Sequence, residues 1–190
     1  MRLTSRFLCH LPWLTLIAAL ACRRSPADSS APTSAPAPRA TEANVVAIIL
    51  AANSTDLSYA RLVPARSRSS DVRAFAQRMT TDHTLLNARV NDIAMRNGIT
   101  AEDDAISLDF RDHSAARRDV LRELDGARFD STYAANEVQY HQELLAAIAG
   151  VLLPNTRNAE LREFVTNLKP AVSAHLAHAE QVRANLAARK

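Results

Sequence analysis

Apolar residues recur at three- and four-residue steps through four long stretches of this chain, and no sustained alternation of the strand type occurs. The clearest stretch runs from Asp71 to Gly98, where Val72, Phe75, Ala76, Met79, Leu86, Val90, Ile93 and Ala94 form one helical face. Ser69 or Ser70 is placed to cap its start, Asp71 sits in the first turn, and Gly98 follows the end. At 1.5 Å per residue the helix is about 40 Å long, and the sequence reads as organised around it. Asp82 and His83 interrupt its apolar stripe halfway along. A polar pair on a core face needs partners on neighbouring helices.

The other stretches supply such partners. A first helix from about Glu42 to Leu62 carries Val45, Val46, Ile49, Ala52, Tyr59 and Val63 on one face, with Asp56 among them, and Pro64 ends it. Phe129 to Leu153 carries Tyr133, Ala134, Glu137, Tyr140, His141, Leu144, Leu145 and Ile148, with Asp130 as the expected N-cap and Pro154-Asn155 as the closing turn. Asn158 to about Ala187 shows Leu161, Phe164, Val165, Leu168, Val172, Leu176, Val182 and Leu186, with His175 inside the stripe. Pro170 is expected to kink or split that helix. Between the second and third long helices, Ala105 to Asp125 is heavily charged and sparsely apolar, and reads as a peripheral helix or pair of turns stopped by Gly126. His113 there lies on a solvated face among Arg111, Asp112, Arg117 and Arg118. The expected fold is all-α: four long helices and a short helical insert between helices 2 and 3.

Upstream of residue 42 the pattern changes twice. Arg2 and Arg6 precede a mostly apolar run, Phe7 to Ala21, too short for a comfortable membrane span and ending in Ala19-Leu20-Ala21-Cys22. Residues 1–21 read as a signal peptide. Either Ala-x-Ala is cut by ordinary signal peptidase, or Cys22 is acylated as in a bacterial lipobox, although Leu20 stands one place late for that motif. The lipoprotein reading places the chain in the bacterial envelope, periplasmic and held at the outer membrane by its lipid anchor. Residues 22–41 hold four prolines (Pro26, Pro32, Pro36, Pro38) and nothing apolar larger than Ala, as a disordered tether would. Both cysteines, Cys9 and Cys22, lie upstream of the helical region 42–190, which therefore has no internal disulfide.

Each long helix thus carries an ionisable residue on its apolar face near mid-length: Asp56, then His83 beside Asp82, then Glu137 with His141, then His175. Inward residues at one level from facing helices are how bundles build metal sites. Three imidazoles with Glu137 or Asp56 suit zinc, copper, nickel or a single iron. Asp82, about 100° around the helix from His83, is placed to orient a neighbour rather than to ligate. The competing reading is a structural cluster in which Asp56, Asp82 and Glu137 satisfy buried histidines. Metal affinity is expected to fall below about pH 6.5, where free imidazole takes up a proton. A di-iron carboxylate site would need about four carboxylates and two Glu-x-x-His repeats, whereas this chain has Glu137-x-x-x-His141 and no second copy.

Val72-Arg-Ala-Phe-Ala-Gln-Arg-Met-Thr-Thr-Asp-His83, Phe129-Asp-Ser-Thr-Tyr133 leading to His141, and Leu168-Lys-Pro170 leading to His175 occur in an order that resembles the DUF4142 family. The resemblance spans about Asn44 to Leu186. It implies a ferritin-like four-helix fold, export and frequent lipoprotein labelling, and no established reaction. Relatives often carry Glu in the first helix where this chain has Asp56, whose shorter reach counts against it as a ligand. Glycine at only three positions leaves no phosphate-binding loop, and no serine lies in a nucleophile-elbow context. The formal charge of +3 falls by two once Arg2 and Arg6 are removed, which argues against nucleic acid as a partner. The expectation is a non-enzymatic, envelope-anchored bundle that binds a transition metal. A metal-dependent oxidase or peroxide scavenger and a purely structural module are the alternatives.

Overall fold

The run Val45 to Ala52 contains no polar residue, so the helix it forms must be covered on more than one side. A computed structural model, which describes residues 39–189, places it so. Helix α1 (Glu42–Ala60) is buried at Val45, Val46, Ala47, Ile48, Ile49, Ala51, Ala52, Asn53, Thr55, Asp56, Leu57, Tyr59 and Ala60, nearly all round. It, rather than the Asp71–Gly98 stretch, is the most enclosed element. The signal peptide, Cys22 and most of the tether lie outside the described residues. Thr41, the tether's last residue, closes a capping box with Asn44 and so starts α1.

Helix α2 (Ser70–Arg96) follows a one-turn helix at Val63–Arg66. Ser69 caps it as expected, accepting from the Val72 N–H at 3.5 Å. Its far end is a Schellman turn: Gly98 at φ +64° lets Ile99 N–H reach the Ala94 carbonyl at 2.8 Å and Gly98 N–H reach Met95 at 3.3 Å. One face is buried, through Val72, Phe75, Ala76, Met79, His83, Val90, Ile93 and Ala94.

The charged insert is a single 18-residue helix, α3 (Ala105–Arg122), and not a pair of turns. Asp104 caps it in a second capping box. It packs along α1 and reaches the following helix, which is why α1 needs apolar residues on its outer side. Thr55 donates to the Phe110 carbonyl at 3.3 Å, and Arg117 grips Glu143 bidentately at 2.7 and 2.9 Å. His113 is exposed and pairs with Asp109, 3.1 Å away.

Helix α4 (Gly126–Ala147) begins earlier than expected. Gly126, at φ +55°, opens it, Asp125 takes the cap position without a side-chain bond, and Asp130 lies inside the helix and is buried. Its end widens into a π-helical turn, Ile148–Leu152, then a single turn at Leu153–Asn155. Pro154 offers no N–H to Gly150, so the regular α ladder cannot continue there. Asn155 and Thr156 side chains satisfy the Val151 and Leu152 carbonyls, both at 2.7 Å.

Asn158 caps α5 (Ala159–Ala188), which runs unbroken through Pro170. Pro170 faces solvent, where water can satisfy the carbonyl that loses its helical donor, so no split is required. α4 packs on α5, α5 on α2, and α2 on α1. The described residues are all helical apart from connectors.

Candidate metal centre

Asp56, His83, Glu137, His141 and His175 come from α1, α2, α4, α4 and α5, and meet at one level between the helices. All five are buried, His175 the least so at 4% exposed. Potential ligand atoms of His83, His141 and His175 lie within 4.8 Å of one another, and so do those of Asp56, Glu137 and His141. His141 belongs to both groups. The ring centroids of His175 stand 5.4 Å from those of His83 and of His141.

Each imidazole is held from behind through one nitrogen. His83 Nδ1 is 2.8 Å from Asn53 Oδ1, His141 Nδ1 is 2.8 Å from the Glu137 carbonyl, and His175 Nε2 is 2.9 Å from Asp82 Oδ2. All three partners are acceptors, so each of those nitrogens carries the hydrogen. The other nitrogens, His83 Nε2, His141 Nε2 and His175 Nδ1, make no aligned hydrogen bond within the protein, and those of the neutral-favouring His141 and His175 keep a lone pair. Both oxygens of Asp56 and both of Glu137 are likewise buried and unbonded. Asp56 Oδ2 approaches His83 Nε2 at 3.0 Å and His141 Nε2 at 3.5 Å, without the alignment of a hydrogen bond. Buried polar atoms are nearly always bonded, so seven without an aligned partner on these five neighbouring residues is a pattern, not scatter.

Asp82 sits outside this group, half-exposed, and its Oδ2 accepts from both His175 Nε2 and Arg78 Nε, each at 2.9 Å. Metal-ligating histidines are oriented by such outer partners. Asn53 plays the same part for His83, and the sequence reading missed it. Its signal was available: Asn53 stands three residues before Asp56, on the same helical face. His178, close to the stripe in sequence, is exposed and packs edge-on against Phe75 at 5.1 Å instead.

Protonation divides the five. Burial resists ionisation of Asp56, but the three facing imidazoles outweigh it and hold its carboxyl below the usual range. Burial likewise opposes a charged His83, yet Asp56 beside it lifts that ring above 6.5. Burial pulls His141 down to about 4 and lowers His175 as well, with Asp82 only partly resisting. Burial, then the Asp56 charge, raises Glu137 well above the ordinary carboxyl value. Without an ion, burial thus favours the neutral forms of His141, His175 and Glu137, while the Asp56 charge favours the protonated form of His83.

Residues 27–182 match the family described as a domain of unknown function, DUF4142. The chain belongs to the DUF4142 family. The match takes in all five clustered residues and begins upstream of α1, within the segment read as a tether. No curated protein and no solved structure matches the chain. Membership brings no reaction with it, so function rests on the geometry above.

Proposed function

We propose that this DUF4142 member is an envelope-anchored bundle of the ferritin-like type, with α1, α2, α4 and α5 as its four helices and α3 as the insert. At its centre, one transition-metal ion is held by His83, His141 and His175 with Asp56 or Glu137 completing the shell. The observation that carries this reading is the anchoring of three rings by acceptors, which leaves the other nitrogen of each beside two buried carboxylates. A purely structural cluster would instead give His141 Nε2 and His175 Nδ1 hydrogen-bond partners as well, and neither has one. Nitrogen-rich donors with a carboxylate suit zinc, copper, nickel or iron over magnesium or calcium. The test is elemental analysis of protein purified without a histidine tag. About one ion per chain is expected, and no metal after incubation with each candidate would overturn the reading.

The proton inventory gives a further expectation. An ion that recruits His83 and Glu137 must displace their protons, so affinity rises with pH while either still carries one. Because Asp56 lifts His83 above its free value, the fall in affinity on acidification should begin above pH 6.5, the value a free imidazole would set. Competition titrations across pH 5 to 9 measure this. A midpoint near 5 would mean that only the already neutral His141 and His175 bind.

Anchoring rests on Ala21-Cys22 and the proline-rich stretch behind it. Mass spectrometry of the mature N-terminus is expected to find Cys22 acylated. An unmodified Cys22, or a retained Met1, would remove the anchor from this proposal. No helix among the described residues is long and apolar enough to cross a membrane.

A further inference from the structure

The three imidazoles are not anchored alike. His83 is held by Asn53, 5% exposed, and His141 by a carbonyl of its own helix, so both anchors lie in the interior. The anchor of His175 does not. Asp82 is half-exposed, and the same oxygen that accepts from His175 Nε2 also accepts from Arg78 Nε. A hydrogen bond that water can contest holds less firmly than one in a low-dielectric interior. His175 is also the least enclosed of the five donors, the other four being at most 1% exposed.

Outside His175, between α2 and α5, lies a cleft of about 240 Å³ lined by Asp82, Leu85, Leu86, Arg89, Ala171 and His175. Leu85 on its rim is 64% exposed, so a ring turned outward there meets water rather than packed side chains. His175 thus stands between solvent and the donors of α1 and α4. A second depression reaches His83 between Ile48, Leu144 and Leu168, and is apolar apart from His83 and Asn53. A cation crossing it would exchange its water for hydrocarbon, at high cost. The α2–α5 cleft offers a carboxylate and an imidazole instead, both of them metal-binding groups. Its two arginine neighbours are engaged: Arg78 bonds Asp82, and Arg89 lies over the Phe164 ring, 5.6 Å from the centroid.

We propose that the ion enters and leaves its centre through the α2–α5 cleft, with His175 as the ligand that swings aside and its bond to Asp82 as the latch. This rests on the metal reading. Zinc(II) is the probe, its uptake by the mature protein and its release to a chromophoric chelator followed by stopped flow. Ala171→Phe fills the cleft from a half-exposed position. It should slow uptake and release together by about 10-fold or more, because both cross one barrier, and leave affinity unchanged. Leu85→Trp covers the same cleft from its exposed rim, where folding is not at stake, and should do likewise. Ala147→Phe, on the wall of the depression beside His83, should leave both rates as in the wild type. Asp82→Ala should speed uptake as well as release, whereas a partner that only orients His175 would change release alone. Unchanged rates in the cleft variants overturn the proposal, as does slowing in Ala147→Phe, or faster release with unchanged uptake in Asp82→Ala. Equilibrium loading separates the two readings. Protein that takes up no zinc sinks the metal centre and its entrance together, while full loading with unaltered rates in the cleft variants sinks the entrance alone.

Discussion

Protein carrying His141→Ala will purify with metal at background level, while the wild type retains about one ion per chain. His141 alone among the five supplies an atom to both donor groups, and burial favours its neutral, ligating form, so no other residue replaces it. Loss of an outer partner alone typically costs 10–100-fold in affinity, and loss of a ligand costs at least ~100-fold. Melting temperatures read with and without chelator separate the causes. Chelator should lower the wild-type value and leave the variant unmoved, because only the wild type has an ion to lose. In metal-free protein the substitution should cost about 1–3 kcal/mol, from partners left unpaired in the interior. A variant that keeps its metal would show that the histidines are core residues and no more. If the metal-free cost appears but the wild type never takes up metal, the polar-cluster reading wins.

Phe75→Ala should be the most destabilising single truncation on α2. Phe75 is 1% exposed and lies edge-on to Tyr133 at 6.2 Å, His141 at 6.4 Å and His178 at 5.1 Å. Truncating a buried Phe costs about 3–5 kcal/mol. In a domain of this size that lowers the melting temperature by roughly 6–20 °C. Phe75 holds no ligand atom, so chemical denaturation of the metal-free variant isolates the packing loss. An unchanged midpoint would mean that α2 is not packed as described.

These expectations differ in how far the sequence alone carried them. Ser69 and Gly98 were legible because caps are local: a hydroxyl three residues from a free N–H and a glycine in the left-handed region act within one turn. Inward placement of Asp56, His83, Glu137, His141 and His175 was legible from period alone. The enclosure of α1 was readable and was missed, since the unbroken apolar run Val45 to Ala52 needs cover on two sides. The cover is α3, whose charged sequence gives little sign of it: Ser107, Ser114 and Leu121 are its buried residues. Asp130 misled because acidic residues favour helix starts, whereas here Gly126 had already begun the helix. Pro170 does not split its helix, because the cost of proline depends on whether the orphaned carbonyl faces water. Which nitrogen of each imidazole is free depends on Asn53, Asp82 and a backbone carbonyl, and those pairings exist only once the chain is folded.

The five donors are split along the chain. Asp56 and His83 belong to the half in which α1 packs on α2 and α3, and Glu137, His141 and His175 to the half in which α4 packs on α5. An ion bound at their meeting point is a reversible cross-link between sequence-distant segments. Its main effect would then fall on the rate of unfolding, because the halves cannot part until a ligand is released. Refolding would proceed at its metal-free rate wherever the halves dock before the ion enters. Metal supply would thus set how long the folded protein persists, a lifetime rather than an equilibrium property.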